Sequence, residues 1–184
     1  MSLACQWSYQ FTRGSSFIAD YKNMDYGAQL TYQLSSKVTL MGHLSRQKNS
    51  FFNPNSDAFT SIYGLGMQYA GKRLNMSLSL DTLSSVTSQQ LSSEGEFKNK
   101  FSSATLNVGY RLGERLDLSG TFVHARNKGM GGYGQNSFRV AVGYRIFEQL
   151  WLDLNIERID RKDLAGTNSD YKATILSFQL RGSF

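Results

Sequence analysis

The chain has 184 residues, a formal charge of +6, 40% hydrophobic and 18% charged residues, 13% aromatics, 17 Gly and 1 Pro. That length suits one domain with a sizeable folded interior, and the composition excludes both a disordered chain and a collagen-like repeat. The single Cys5 excludes an internal disulfide framework and a cysteine-based zinc site, and a mean hydropathy of -0.37 with no run of about 20 apolar residues excludes a membrane-spanning helix.

Leu3, Cys5, Trp7, Tyr9 and Phe11 alternate with small or polar residues, which is the two-residue period of a strand. The same pattern returns at Tyr26–Leu34, Val38–Leu44, Tyr63–Tyr69 and Leu74–Leu80. It continues at Ala104–Leu112, Leu116–Phe122, Phe138–Ile146, Leu150–Ile156 and Thr174–Phe184. This predicts ten strands, and no segment carries a 3.6-residue helical period. The connections alternate in length. Ser35–Lys37, Gly71–Lys72, Gly113–Arg115 and Phe147–Gln149 are short, whereas the stretches around 14–22, 46–56, 84–100, 127–136 and 160–170 read as long loops. Across the short turns, apolar residues are expected to meet: Leu34 with Val38, Tyr69 with Leu74, Leu112 with Leu116, and Ile146 with Leu150. Tyr32, Tyr69, Tyr110 and Tyr144 recur just before each short turn, as if the hairpins were diverged copies. A propeller blade would need four strands per repeat, and each repeat here holds two.

The apolar faces carry no Lys, Arg, Asp or Glu, and the opposite faces carry Ser, Thr, Gln, Asn, Gly and Ala with almost no Lys. Lysines fall instead in turns and loops: Lys22, Lys37, Lys48, Lys72, Lys98, Lys100, Lys128 and Lys162. A soluble sandwich would gather Lys and Glu on its wet face. A barrel in a bilayer explains the distribution, because lipid tolerates no unpaired backbone and meets an apolar outer band, while the lumen is polar. The expected fold is therefore all-β: a single transmembrane antiparallel up-and-down β-barrel over residues 1–184, about ten strands, with short periplasmic turns and longer extracellular loops. Tyr32, Tyr69, Tyr110 and Tyr144 would form one interfacial girdle. Tyr26, Tyr63, Phe122 and Phe138 would form the other.

The closing segment, with Phe178, Leu180 and the terminal Phe184, resembles the C-terminal assembly signal of bacterial outer-membrane β-barrels. The resemblance implies location in the bacterial outer membrane, recognition by the barrel-assembly machinery, and contact with outer-membrane lipids and lipopolysaccharide. It is specific only at the last strand and singles out no family within that group. Ten strands is also the count of the omptin proteases, but this chain is far shorter and lacks their long extracellular extension.

Candidate lumen charges are Arg111, Asp117, Arg139, Arg145, Asp153, Glu157 and Arg181. Counting out from the turns sets Arg111 opposite Asp117 and Arg139 opposite Glu157. Such pairs neutralise a confined interior whatever the function, and they could also form a selectivity network. His43 and His124 are the only histidines, and the face count points them to opposite sides, so an Asp/His hydrolytic site at the rim is not assembled. The glycine-rich 127–136 stretch lacks the Lys-Ser/Thr ending of a phosphate loop. Basic loop residues could meet lipopolysaccharide phosphates, and no face combines basic residues with stacking aromatics as nucleic acid requires. No cofactor or metal is expected.

The leading expectation is a non-enzymatic outer-membrane protein, either a narrow pore or a structural anchor. A chain that opens inside a strand, with no signal peptide ahead of it, also suggests the C-terminal part of a larger barrel: a wide porin, or the sheath of an export or electron-transfer complex. A rim-located hydrolase is the remaining alternative.

Overall fold

The computed structural model describes residues 2–12, 21–52, 55–89, 97–129, 132–166 and 170–182. They form ten strands: β1 (Ser2–Thr12), β2 (Tyr21–Gln33), β3 (Val38–Phe52), β4 (Asn55–Ala70), β5 (Leu74–Gln89), β6 (Phe97–Leu112), β7 (Leu116–Lys128), β8 (Tyr133–Phe147), β9 (Leu150–Asp163) and β10 (Tyr171–Gly182). Each strand pairs antiparallel with its chain neighbours in the order β1 to β10, an up-and-down meander with no crossover. Among the described residues the outer edges of β1 and β10 carry no partner, so the ring is not closed within these ten strands.

The short turns have local causes. The Ser35 hydroxyl accepts hydrogen bonds from the backbone N–H groups of Lys37 and Val38, tightening the β2–β3 turn. Gly113 takes a φ of 74° between β6 and β7, a conformation that favours glycine. Two turns differ from expectation by a residue. The backbone N–H of Gly71 donates to Leu74 O, so the β4–β5 loop is Lys72–Arg73 and Tyr69 faces Met76 rather than Leu74. In the β8–β9 hairpin the register slips between Arg145 and Phe147. Phe147, not Ile146, therefore meets Leu150. The bulge swings Phe147 onto the apolar face, where it is 69% exposed.

Within the segments read as long loops, residues 46–52, 55–56, 84–89 and 97–100 are strand. β3, β4, β5 and β6 run 15 or 16 residues, well past the 9–11 that cross a bilayer, and the excess lies on the long-loop side. The ladder persists because its hydrogen bonds do not depend on side-chain polarity. What ends beyond Tyr26, Tyr63, Phe122 and Phe138 is the apolar alternation, not the pairing.

Burial is inverted relative to a water-soluble protein. The only buried hydrophobic residue among those described is Ala125, and the exposed set is led by Leu, Ile, Met, Phe and Tyr. Along β9, Leu154, Ile156 and Arg158 are exposed while Asn155, Glu157 and Ile159 between them are half-buried. The polar face is thus the sheltered one, and the apolar face points out.

Candidate functional site

The sheltered face of β6–β10 carries a connected set of charges. On the first tier Asp117, Gly143 and Asp153 are register partners in one lateral row, with Arg111 beside Asp117. Arg111 Nε donates to Asp117 Oδ1 at 3.2 Å, and Arg181 reaches back along β10 to Asp153 with Nε–Oδ2 at 2.5 Å and Nη2–Oδ1 at 3.1 Å. Gly143 separates the two carboxylates: a Cβ there would stand 3.0 Å from Asp153 Oδ1 and 3.9 Å from Asp117 Cβ. Nearer the long-loop side, Arg139 grips Glu157 through Nε at 3.1 Å and Nη2 at 2.5 Å, both on Oε2. At the short-turn end the Arg145 guanidinium lies 5.8 Å from the Trp151 ring and 3.9 Å from the Glu114 carboxylate. Between the tiers, Thr121 donates to Asn107, and Asn107 donates to Ser77, in a neutral relay across three strands.

The arrangement is a curtain of fixed arginines, each held by one carboxylate. Such pairs keep guanidinium groups in place without cancelling the donor capacity left on the polar face. They can bind, orient or repel charged solute. Among the described residues, no group of three His, Cys, Asp or Glu is placed to hold a metal ion.

The histidines occupy opposite faces. His124 Nδ1 lies 2.7 Å from Asn136 Oδ1 on the apolar side. His43 lies on the polar side, with Nε2 3.8 Å from Asp81 Oδ1. That contact is not among the sequence expectations, which placed any Asp/His pairing at the rim. Gly64 is its cause: it is the register partner of both His43 and Asp81, and the two side chains close over its missing Cβ. The available signal was a glycine within an otherwise regular alternation, midway between an inward His and an inward Asp.

The two girdles form levels on the apolar face. Tyr32, Tyr110 and Tyr144 are exposed there, with Tyr69 half-exposed beside them. Six residues further along their strands stand Tyr26, Tyr63 and Phe138, and Phe138 is the register partner of Phe122. Phe178 and Leu180 lie on the apolar face of β10, 67% and 55% exposed, while Phe184 lies outside the described residues.

No family model matches the chain, and no curated protein matches it in sequence. Solved structures do resemble it. The siderophore receptor PirA from Pseudomonas aeruginosa is 8% identical with a TM-score of 0.74, over 90% of this chain and 31% of the receptor. The alcaligin outer-membrane receptor FauA from Bordetella pertussis is 11% identical with a TM-score of 0.55, over 96% of this chain and 34% of the receptor. The outer-membrane OmpT of Vibrio cholerae is 7% identical with a TM-score of 0.59, over 89% of this chain and 56% of that protein. The chain thus spans about a third of the receptors and just over half of OmpT. At these identities the likeness is one of fold, and the fold is that of integral outer-membrane β-barrel proteins.

Proposed function

We propose that the chain works in the bacterial outer membrane as part of a non-enzymatic, porin-like channel, and that its ring is wider than ten strands. The observation that carries this is the pair of bare edges. β1 and β10 each offer a row of backbone donors and acceptors with no partner among the described residues, in a sheet whose apolar face belongs in lipid. Lipid leaves such groups unsatisfied at a cost of several kcal/mol each, so further strands must cover them. The likeness to segments of longer barrels agrees with that geometry. The arginine curtain then lines a wall of the lumen and selects among charged solutes. The Phe178, Leu180 and Phe184 pattern serves as the signal read by the barrel-assembly machinery.

Cys5 provides the test, because it is the sole cysteine and lies exposed on the β1 edge. Single cysteines placed at Leu176, Phe178 or Leu180 on the same face of β10 report whether the two edges adjoin. A wider ring yields no disulfide within one chain, and large stable conductance steps appear only in assemblies containing more than ten strands. Efficient disulfide formation inside a single membrane-inserted 184-residue chain would overturn the proposal and establish a closed ten-strand barrel.

A further inference from the structure

Above the Tyr26–Tyr63–Phe138 level the outward face changes from apolar to basic. Following β6 outward from Leu106 and Ala104, the same face carries Ser102, Lys100 and Lys98. Following β7 from Phe122 and His124, it carries Arg126 and Lys128. Lys100 and Lys128 are direct register partners, and Arg126 pairs with Ser102 one step nearer the membrane. Like charges set directly opposite on one face of a ladder destabilise it. Neither neighbouring strand relieves them: the facing rows carry Thr82, Ser84 and Val86 on β5, and Gly134 and Asn136 on β8. Among the described residues, no hydrogen bond or ion pair engages Lys100, Arg126 or Lys128. All four cations are exposed.

The surface here is also concave. A cavity of about 340 Å³ is lined by Lys98, Lys100 and Lys128 together with Ser84, Asn99 and Gly129. Gly129 closes one wall at a φ of 141°, so close to β6 that a Cβ would stand 2.7 Å from Asn99 Oδ1 and 2.8 Å from Lys98 O. Below it, past Ser102, lies the apolar strip of Ala104, Leu106 and Val108. Among the described residues, the strand faces at the opposite end show no counterpart. Their outermost residues are Leu34, Leu112 and Leu116, and the cations there lie in the turns.

We propose that Lys98, Lys100, Arg126 and Lys128 form a binding site for the phosphorylated headgroup of an outer-leaflet lipid, whose acyl chains lie along the apolar strip beneath. The site rests on the lipid-facing reading of that strip. It does not depend on how the ring is closed. The ligand's phosphates supply the counter-charge that Lys100, Arg126 and Lys128 lack among the described residues, and the apolar strip distinguishes a lipid from free phosphate. Each cation near an anionic lipid surface contributes about a fivefold gain in affinity.

The test uses the full chain in phosphatidylcholine nanodiscs, with insertion verified separately by its resistance to unfolding in cold detergent. Binding is measured for bisphosphorylated lipid A, for the same lipid with both phosphates removed, and for inorganic pyrophosphate. Bisphosphorylated lipid A is expected to bind, Lys100→Gln with Lys128→Gln to weaken it about twenty-five-fold, and Lys37→Gln at the far end to leave it unchanged. Equal binding of the dephosphorylated lipid, or a double variant that binds normally, would overturn the proposal. Pyrophosphate bound as tightly as the lipid would replace the lipid with a free anion. Unaltered lipid binding only after Glu94→Gln and Glu96→Gln would mean that the connecting segment's own carboxylates occupy the site.

Discussion

The sharpest consequence of the inverted burial is a depth profile along one strand. Leu106 lies on the outward face of β6, four residues from Tyr110 at the short-turn girdle. At about 3.3 Å per residue along a strand tilted by about 40°, that is roughly 10 Å inside the girdle, near the middle of an apolar band about 25 Å tall. Leu106→Arg should therefore cost about 2–4 kcal/mol of folding free energy, and Leu112→Arg, two residues outside the girdle, about 0–1 kcal/mol. Ser103→Arg places the same side chain on the sheltered face, in register with Asp81, where a partner is at hand. It should cost less than Leu106→Arg. Reversible unfolding from lipid vesicles in guanidinium, followed by tryptophan fluorescence, measures all three. Equal costs for Leu106→Arg and Ser103→Arg, or a cost at Leu112 matching that at Leu106, would refute the assignment of the apolar face to lipid.

Three further expectations come from individual contacts. Arg139→Ala should destabilise the protein more than the double change with Glu157→Ala, because the single change strands a confined carboxylate; a double-mutant cycle in the same unfolding assay should show coupling above 0.5 kcal/mol. Gly64→Ala should cost about 1–3 kcal/mol, since its Cβ would collide with the His43 ring, and His43→Ala in the same chain should recover most of that loss. At the outer end of the β3–β4 hairpin, the Ser50 hydroxyl and then Lys48 hold the Asp57 carboxyl below its ordinary value of 3.8. A depressed carboxylate stabilises the fold above the unfolded value and loses that contribution as pH falls through the lower folded value. Protection factors at the hairpin's outer end, taken relative to the intrinsic exchange rate at each pH, should therefore fall on acidification below about pH 4, and Asp57→Asn should remove that acid dependence.

The membrane-level parts of the strands were legible because lipid enforces one rule on every second residue. Leu106, Val108 and Tyr110, or Phe138, Val140 and Val142, have no freedom to be polar, and a two-residue period appears at once. The outer halves were not legible for the same reason. Where water wets both faces, Arg46, Lys48 and Ser50 can share a strand face, and alternation loses its meaning although the ladder runs on. Arg111 and Asp117 lie on either side of a three-residue turn, so their positions can be counted from the chain. His43 and Asp81 lie two strands apart, and their meeting depends on the register of two successive hairpins. A one-residue difference, such as the Lys72–Arg73 loop or the bulge after Arg145, is set by local hydrogen bonding that hydrophobic spacing does not encode.

The extension of β3 to β6 beyond the girdle separates two kinds of evolutionary freedom within one strand. The lower tier answers to the bilayer, which punishes polarity at fixed intervals and so restrains drift. Outside the basic cluster on β6 and β7, the upper tier answers mainly to its neighbour across the ladder, so side chains there can be exchanged for most others while the hairpin keeps its height and direction. A cell whose surface is under attack by phages or antibodies can therefore rewrite the rim of this protein, and even lengthen the segments the hairpins carry, with little change in how readily the chain inserts. In a deep mutational scan, the boundary between the tolerant and intolerant halves of each strand should fall at the level of Tyr63, Phe122 and Phe138.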